Sequence, residues 1–254
     1  MQSLSRIATA CAALSMAVLV PGAMQAQARP AAADVITKYV NAIGGKDAIM
    51  KITSMSQTAT MELPSMGISA TMEIFAAAPN KMASKTTIPG IGDMQNGYNG
   101  TVAWDVNPMA GPRLLADKEL ATMAENADFY ANLLYSPDRF ASMETVGDTT
   151  INGEKAWSVR LVRKSTQRES FAYFSATSGL LLGSVSTTES QMGAITSSQT
   201  ISGYKKFGNV MMPTKVEASM GPQKMVMTTK DVTFNATPDS VFAVPAQVKP
   251  LIKP

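Results

Sequence analysis

Histidine is absent from the 254-residue chain, and cysteine occurs once, at Cys11. Without histidine no Ser-His-Asp or Cys-His nucleophile system can be assembled. The same two shortages exclude His- or Cys-based zinc and iron sites and covalently attached haem. No Gly-rich phosphate-binding loop is present, and Asp148–Asn152 carries turn chemistry without the ligand spacing of a calcium loop. Charge imbalance is lacking too. There are 22 basic and 19 acidic side chains, a net +3, which gives no argument for a nucleic-acid partner. No cofactor and no metal is expected.

The first stretch reads as a targeting segment. Arg6 gives a short positive start, Ile7–Val20 is apolar, and Ala26-Gln27-Ala28 is a small-x-small cleavage site. Residues 1–28 are therefore expected to be a secretory signal peptide, cut after Ala28. The apolar run is short for a comfortable membrane span. Cys11 leaves with the leader, and no cysteine stands at the cut to carry a lipid anchor. The mature chain, residues 29–254, then enters an oxidising compartment without a disulfide, and losing Arg6 brings its charge near +2.

What the chain does have is methionine, 19 in all, and patterned hairpins. Met55–Phe75 is the best of these. Met55, Ala59, Met61 and Leu63 share one face of its first arm, and Ile68, Ala70, Met72 and Ile74 share one face of the second. Ser56, Thr58, Thr60, Glu62, Ser69, Thr71 and Glu73 take the other. Period-two alternation around Pro64-Ser65-Met66-Gly67 predicts a β-hairpin with one apolar and one wet face.

Elsewhere Asp34 is positioned to cap a helix over Val35–Ile43, which Gly44-Gly45 stops, with a second short turn of helix over Lys46–Ile52. Strands are expected at Lys81–Ile88, Gly92–Tyr98 and Thr101–Val106, with Asn99-Gly100 a strong hairpin turn. Arg113–Leu115 is a short edge piece. Asp117–Tyr135 switches to helical spacing and ends at Ser136-Pro137. Strand character returns around Trp157, Val159 and Leu161, then at Phe171–Phe174, Leu180–Thr187, Ala194–Tyr204, Val210–Met220 and Lys224–Phe234. About eleven strands joined by short turns make an antiparallel meander, and a sheet of that width curls or splits.

Three segments carry a family likeness: Ala78-Pro79-Asn80-Lys81-Met82, Tyr98–Pro108 with its Asn-Gly turn and Trp104, and Pro238-Asp239-Ser240-Val241-Phe242-Ala243-Val244-Pro245. With the order of elements, they resemble the periplasmic lipoprotein carrier and receptor (LolA/LolB-like) superfamily. The resemblance implies a mainly β fold with a few α-helices. That fold is a strongly curved, half-open antiparallel β-barrel with an N-terminal helix and a helical lid insert, formed by residues 29–254 as one domain. It also implies a periplasmic location and a concavity that accepts acyl chains. The carriers keep an arginine before the Pro-Asn turn that ties the lid shut. Ala78 stands there in this chain, so their opening cycle is not implied.

The candidate cavity lining is Met55, Met61, Ile68, Met72, Ile74, Met94, Trp104, Leu120, Met123, Phe129, Leu133 and Trp157. Methionine suits surfaces that bind apolar partners of variable shape, although the same residues would serve an ordinary core. Asp117–Tyr135 is the candidate lid. Arg160, Arg163, Lys164 and Arg168 crowd one expected hairpin turn and Lys205-Lys206 form a second pair. Such groups attract anionic headgroups, but more often cap a solvated turn. Glu62 and Glu73 are the one carboxylate pair worth weighing for hydrolysis. The expected function is a non-enzymatic, monomeric periplasmic carrier of lipid, acyl chain or lipoprotein. The alternative is an envelope lipid-sensing regulator or scaffold on the same fold that binds envelope proteins.

Overall fold

The computed structural model describes residues 29–190 and 193–252, so the leader segment lies outside it. Two helices open the described chain, α1 (Ala32–Ala42) and α2 (Lys46–Met50). Strands β1 (Ser54–Leu63), β2 (Ile68–Ala77), β3 (Lys81–Ile88), β4 (Gly92–Tyr98), β5 (Ala103–Asn107) and β6 (Gly111–Leu114) follow. A helical insert carries α3 (Asp117–Ala127) and α4 (Phe129–Leu134). The second run of strands is β7 (Phe140–Ile151), β8 (Glu154–Arg163), β9 (Glu169–Ser175), β10 (Leu181–Ser190), β11 (Gly193–Ser202), β12 (Lys205–Phe207), β13 (Val210–Met212), β14 (Lys215–Met220) and β15 (Gln223–Phe234).

Thirteen strands form one antiparallel sheet in the order β6-β5-β4-β3-β2-β1-β15-β14-β11-β10-β9-β8-β7, and β12 and β13 pair apart from it. The expected meander is correct and the count of about eleven is low. β7 carries none of the alternation that marks the other strands, and Val210–Met220 breaks at Pro213 into β13 and β14. Asp34 does not cap α1. The helix starts at Ala32, and Asp34 sits in its first turn, where a carboxylate still favours the positive helix end. Gly44 takes φ +124, and a Cβ there would meet Asn209 O at 2.5 Å, so this stop needs glycine on both counts.

Curvature follows from distances. α3 touches β3, β4 and β5 on one arm and β10 on the other. β4 and β10 lie seven places apart in the strand order, about 33 Å across a flat sheet at ~4.8 Å per strand. An eleven-residue helix is only about 16 Å long. The sheet must therefore curl until its arms approach, and it stays open because β6 and β7 do not pair.

One end of the concave face is filled. Val35, Ile36 and Tyr39 of α1, Ile49 of α2 and Phe129 and Leu134 of α4 pack on Val159, Leu161, Ala172 and Phe174. Tyr39, Tyr135 and Phe174 form an aromatic cluster, with ring centroids 5.3–5.6 Å apart.

Candidate functional site

Register traces the concave face beyond that plug. Met61 pairs with Ala70 on β2 and with Met227 on β15. Met72 pairs with Ala59 and with Thr86, which pairs in turn with Met94. Val216 lies across from Met227, and Ala218 from Met225. Directly opposed residues share a face. The floor thus carries Met61, Leu63, Ile68, Met72, Ile74, Met94, Met225 and Met227, half-buried throughout, with Thr86 between Met72 and Met94.

Across β11 and β10 the same face turns polar. Gln199 pairs with Ala218 and Ser184, and Ser197 with Met220 and Ser186. The trough therefore has an apolar wall and a hydroxyl-rich wall.

α3 spans this trough. Leu120, Met123, Ala124 and Ala127 rest against Met82, Tyr98, Ala103 and Leu115 of one arm. Its N-terminal turn is tied to that arm by Arg113, whose Nη1 and Nη2 donate to Glu119 at 2.9 and 3.3 Å while Nε donates to Asp105 at 3.1 Å. A bidentate fork of this kind is directional, and the hydrogen bonds to Glu119 lead in holding the guanidinium above its usual pKa.

The C-terminal half of α3 reaches the other arm. Glu125 is 7 % exposed. Its Oε1 accepts from Ser165 Oγ at 2.5 Å and Thr166 Oγ1 at 2.7 Å, and its Oε2 lies 3.1 Å from Arg168 Nη2. Arg163 sits beside this group and stacks on the Phe140 ring at 4.5 Å. Burial pulls the Arg163 guanidinium below its usual pKa, opposed by the charges of Glu125 and Asp128. Asp128 accepts from Ala131 N to cap α4, and its carboxylate pairs with Arg139 at 2.9 Å. The turn at Ala78-Pro79 still holds the insert, because Phe129 N donates to Pro79 O at 3.1 Å.

The expected lining residues divide into four sets. Met61, Ile68, Met72, Ile74 and Met94 lie together on the open floor. Leu120 and Met123 lie on α3, packed on the β3–β5 arm. Met55, Phe129, Leu133 and Trp157 belong to the plugged end. Trp104 does not join them. It is 2 % exposed on the opposite face, packed with Val106 and Val248 under the C-terminal segment. Gly97 across the ladder makes room for its ring, since a Cβ there would lie 2.4 Å from it.

The basic turn is solvated in part, with Lys164 exposed and the Arg160–Glu169 pair at the surface. Arg168 is paired to Glu125, Arg160 to Glu169, and Arg163 is stacked. Lys205 and Lys206 are exposed on β12. Glu62 and Glu73 stand opposite Ser69 and Thr58, both exposed and outside the trough. Among the described residues no cluster of carboxylates has metal-binding geometry, and no helix is long and apolar enough to cross a membrane. Met225, Met227 and Glu125 were missed as site residues. The first two were legible in the alternation of Lys224-Met225-Val226-Met227.

No family model and no curated protein matches the chain. Solved structures do. A LolA superfamily protein of Nitrosomonas europaea superposes with a TM-score of 0.56 at 12% identity, over 85% of this chain and 99% of that one. A DUF1329 family protein of Desulfovibrio piger superposes with a TM-score of 0.58 at 10% identity, over 85% and 98%. The chain therefore has the LolA-like fold, a large antiparallel sheet that is not closed into a barrel.

Proposed function

We propose that this protein is a periplasmic, non-enzymatic carrier that binds the acyl chain of a lipid or lipoprotein along its methionine-rich trough, with α3 as the cover. The observation that carries the reading is the methionine-rich floor from Met94 to Met225, interrupted only by Thr86 across the β2–β4 strands and bridged by a single helix attached to both arms. Each methylene taken out of water contributes about 0.8 kcal/mol. Flexible methionine side chains adapt to the bulk of the chain more than to its identity.

The test is purification of the mature protein from a periplasmic extract, followed by mass spectrometry of its organic extract and titration with a fluorescent acyl probe. The reading expects a co-purifying acyl species and saturable binding. It further expects Met72→Glu, which places a charge on the floor, to weaken probe binding at least tenfold. An empty extract together with no probe binding sinks it.

A second reading, a scaffold for an envelope protein, is favoured by one feature. A groove of about 730 Å³ runs between α1 and the edge strand β7, lined by Ile36, Val40, Leu134, Phe140 and Met143. Protein capture that survives Met72→Glu while acyl binding is lost would favour it.

A further inference from the structure

A second cleft lies at the rim of the sheet, beside α3. The β9–β10 ladder ends at the pair Ser170–Ser186, whereas β10 continues to Ser190, paired only with β11. Beside this projecting arm a cleft of about 590 Å³ lies between α3 and the turn that joins β8 to β9. Its walls are Ala121 and Thr122 of α3, Phe171 of β9, and Val185 and Thr187 of β10, with Ser165, Thr166 and Arg168 at one end. Lys118 also lines it, is exposed, and makes no ion pair among the described residues. A volume of this order accepts a small amphiphile.

Two hydroxyls and a guanidinium converge at that end on one carboxylate, Glu125. Such a set of donors is suited to an oxyanion from any source. Glu169, which lines the cleft, is held by Arg160. Ser165, Thr166 and Arg168 line one end of the cleft and meet the buried Glu125 carboxylate behind it, and Lys118 leaves a further positive charge at the rim.

We propose that this cleft is a headgroup subsite for an alkyl chain bearing a phosphate or carboxylate, and that the ligand's anion takes the place of Glu125 on Ser165, Thr166 and Arg168. This deepens the acyl-binding reading and rests on it. The headgroup sits against Ser165, Thr166 and Arg168, and the chain lies in the cleft along Ala121, Phe171 and Val185. Displacing Glu125 undoes the tie of α3 to the turn between β8 and β9, while Met123, Ala124 and Ala127 and the Arg113–Glu119 fork keep the helix on the β3–β5 arm. The cover is then held by one arm of the sheet.

Isothermal titration calorimetry of the mature protein with decyl phosphate, decanol and inorganic phosphate tests this. Decyl phosphate is expected to bind about tenfold tighter than decanol, and inorganic phosphate far more weakly than either. Glu125→Gln removes the competing charge and should raise the decyl phosphate to decanol ratio several-fold. Arg168→Gln should bring the ratio near one. Lys118→Gln, a surface change that leaves the packing intact, should lower it two- to threefold. Decanol binding with no preference for decyl phosphate, or a preference that survives Arg168→Gln and Lys118→Gln, overturns the headgroup subsite and leaves the acyl reading standing. Inorganic phosphate binding as tightly as decyl phosphate overturns the coupling to the chain. Failure of both decyl phosphate and decanol to bind overturns both proposals.

Discussion

Individual side chains set what the concave face can tolerate, and the tyrosines of the plugged end show it. Burial pushes the Tyr39 phenol well above its usual pKa, raises Tyr135 to about 12, and raises Tyr204 further still. For each ring the folded state holds its proton more tightly than the unfolded chain. Their contribution is therefore complete below the unfolded value of 10.0 and is lost as pH rises toward about 12. The urea midpoint should hold steady up to about pH 10 and then fall, and Tyr135→Phe should flatten that fall relative to wild type. Equal slopes for the two proteins between pH 10 and 12 would refute the linkage. Residue-scale legibility was uneven for a physical reason. Met61, Met72 and Met94 lie in strands whose other face is polar, so alternation alone orients them. Trp104 shares its face with Val106, opposite Ala103 and Asp105, but alternation does not say which side of the curled sheet that face takes; Gly97 across the hairpin and the distant Val248 settle it.

Elements differ in how openly the sequence declares them. β7 went unread because two bulges, at Phe140/Ser142 and Thr145/Gly147, twice shift its side-chain alternation. The same bulges protect this long edge strand from pairing with another chain. α3 was legible as a helix, but its fastening was not, since Glu125 meets Arg168 only once both arms are folded. Glu125→Ala leaves the half-buried Arg168 guanidinium without its counter-charge, which costs about 1–3 kcal/mol. Amide exchange across residues 117–127 should then accelerate strongly in α3 and little in α1, read by hydrogen–deuterium exchange. Protection in α3 equal to wild type would mean that the Glu125 contacts do not hold the helix down. Ala78 had removed the expected lid-tying arginine, and these contacts supply a different attachment on the opposite arm.

For the whole molecule, the chain order explains the open shape. The first run of strands ends at β6 and the second begins at β7, the two edges of the sheet, while β1 and β15 pair at its middle. Residues between β6 and β7 thus bridge the gap where a closed barrel would have a seam, and that is where α3 and α4 sit. Local patterning cannot give the β1–β15 pairing, because it joins residues nearly the whole described chain apart. The half-open form came instead from the family resemblance. The C-terminal segment adds the last long-range tie. After β15 it passes Lys81, whose Nζ lies 2.6 Å from Asp239, buries Phe242, and lays Val244 and Val248 over Trp104 on the convex face. Val248 is fully buried, with 0% exposure, and burying one such side chain contributes about 1.5–3 kcal/mol. Truncation after Phe242 should lower stability by about 2–4 kcal/mol on that basis, and should shift tryptophan emission to the red as Trp104 meets water. Trp157 belongs to the far, helix-plugged end and serves as the internal reference. A Trp157→Phe background should keep the whole shift, whereas Trp104→Phe should abolish it. Because the tail lies on the opposite face from the methionine floor, the truncated protein should still bind an acyl probe. Loss of probe binding with tryptophan emission unchanged would reverse the assignment of the two faces.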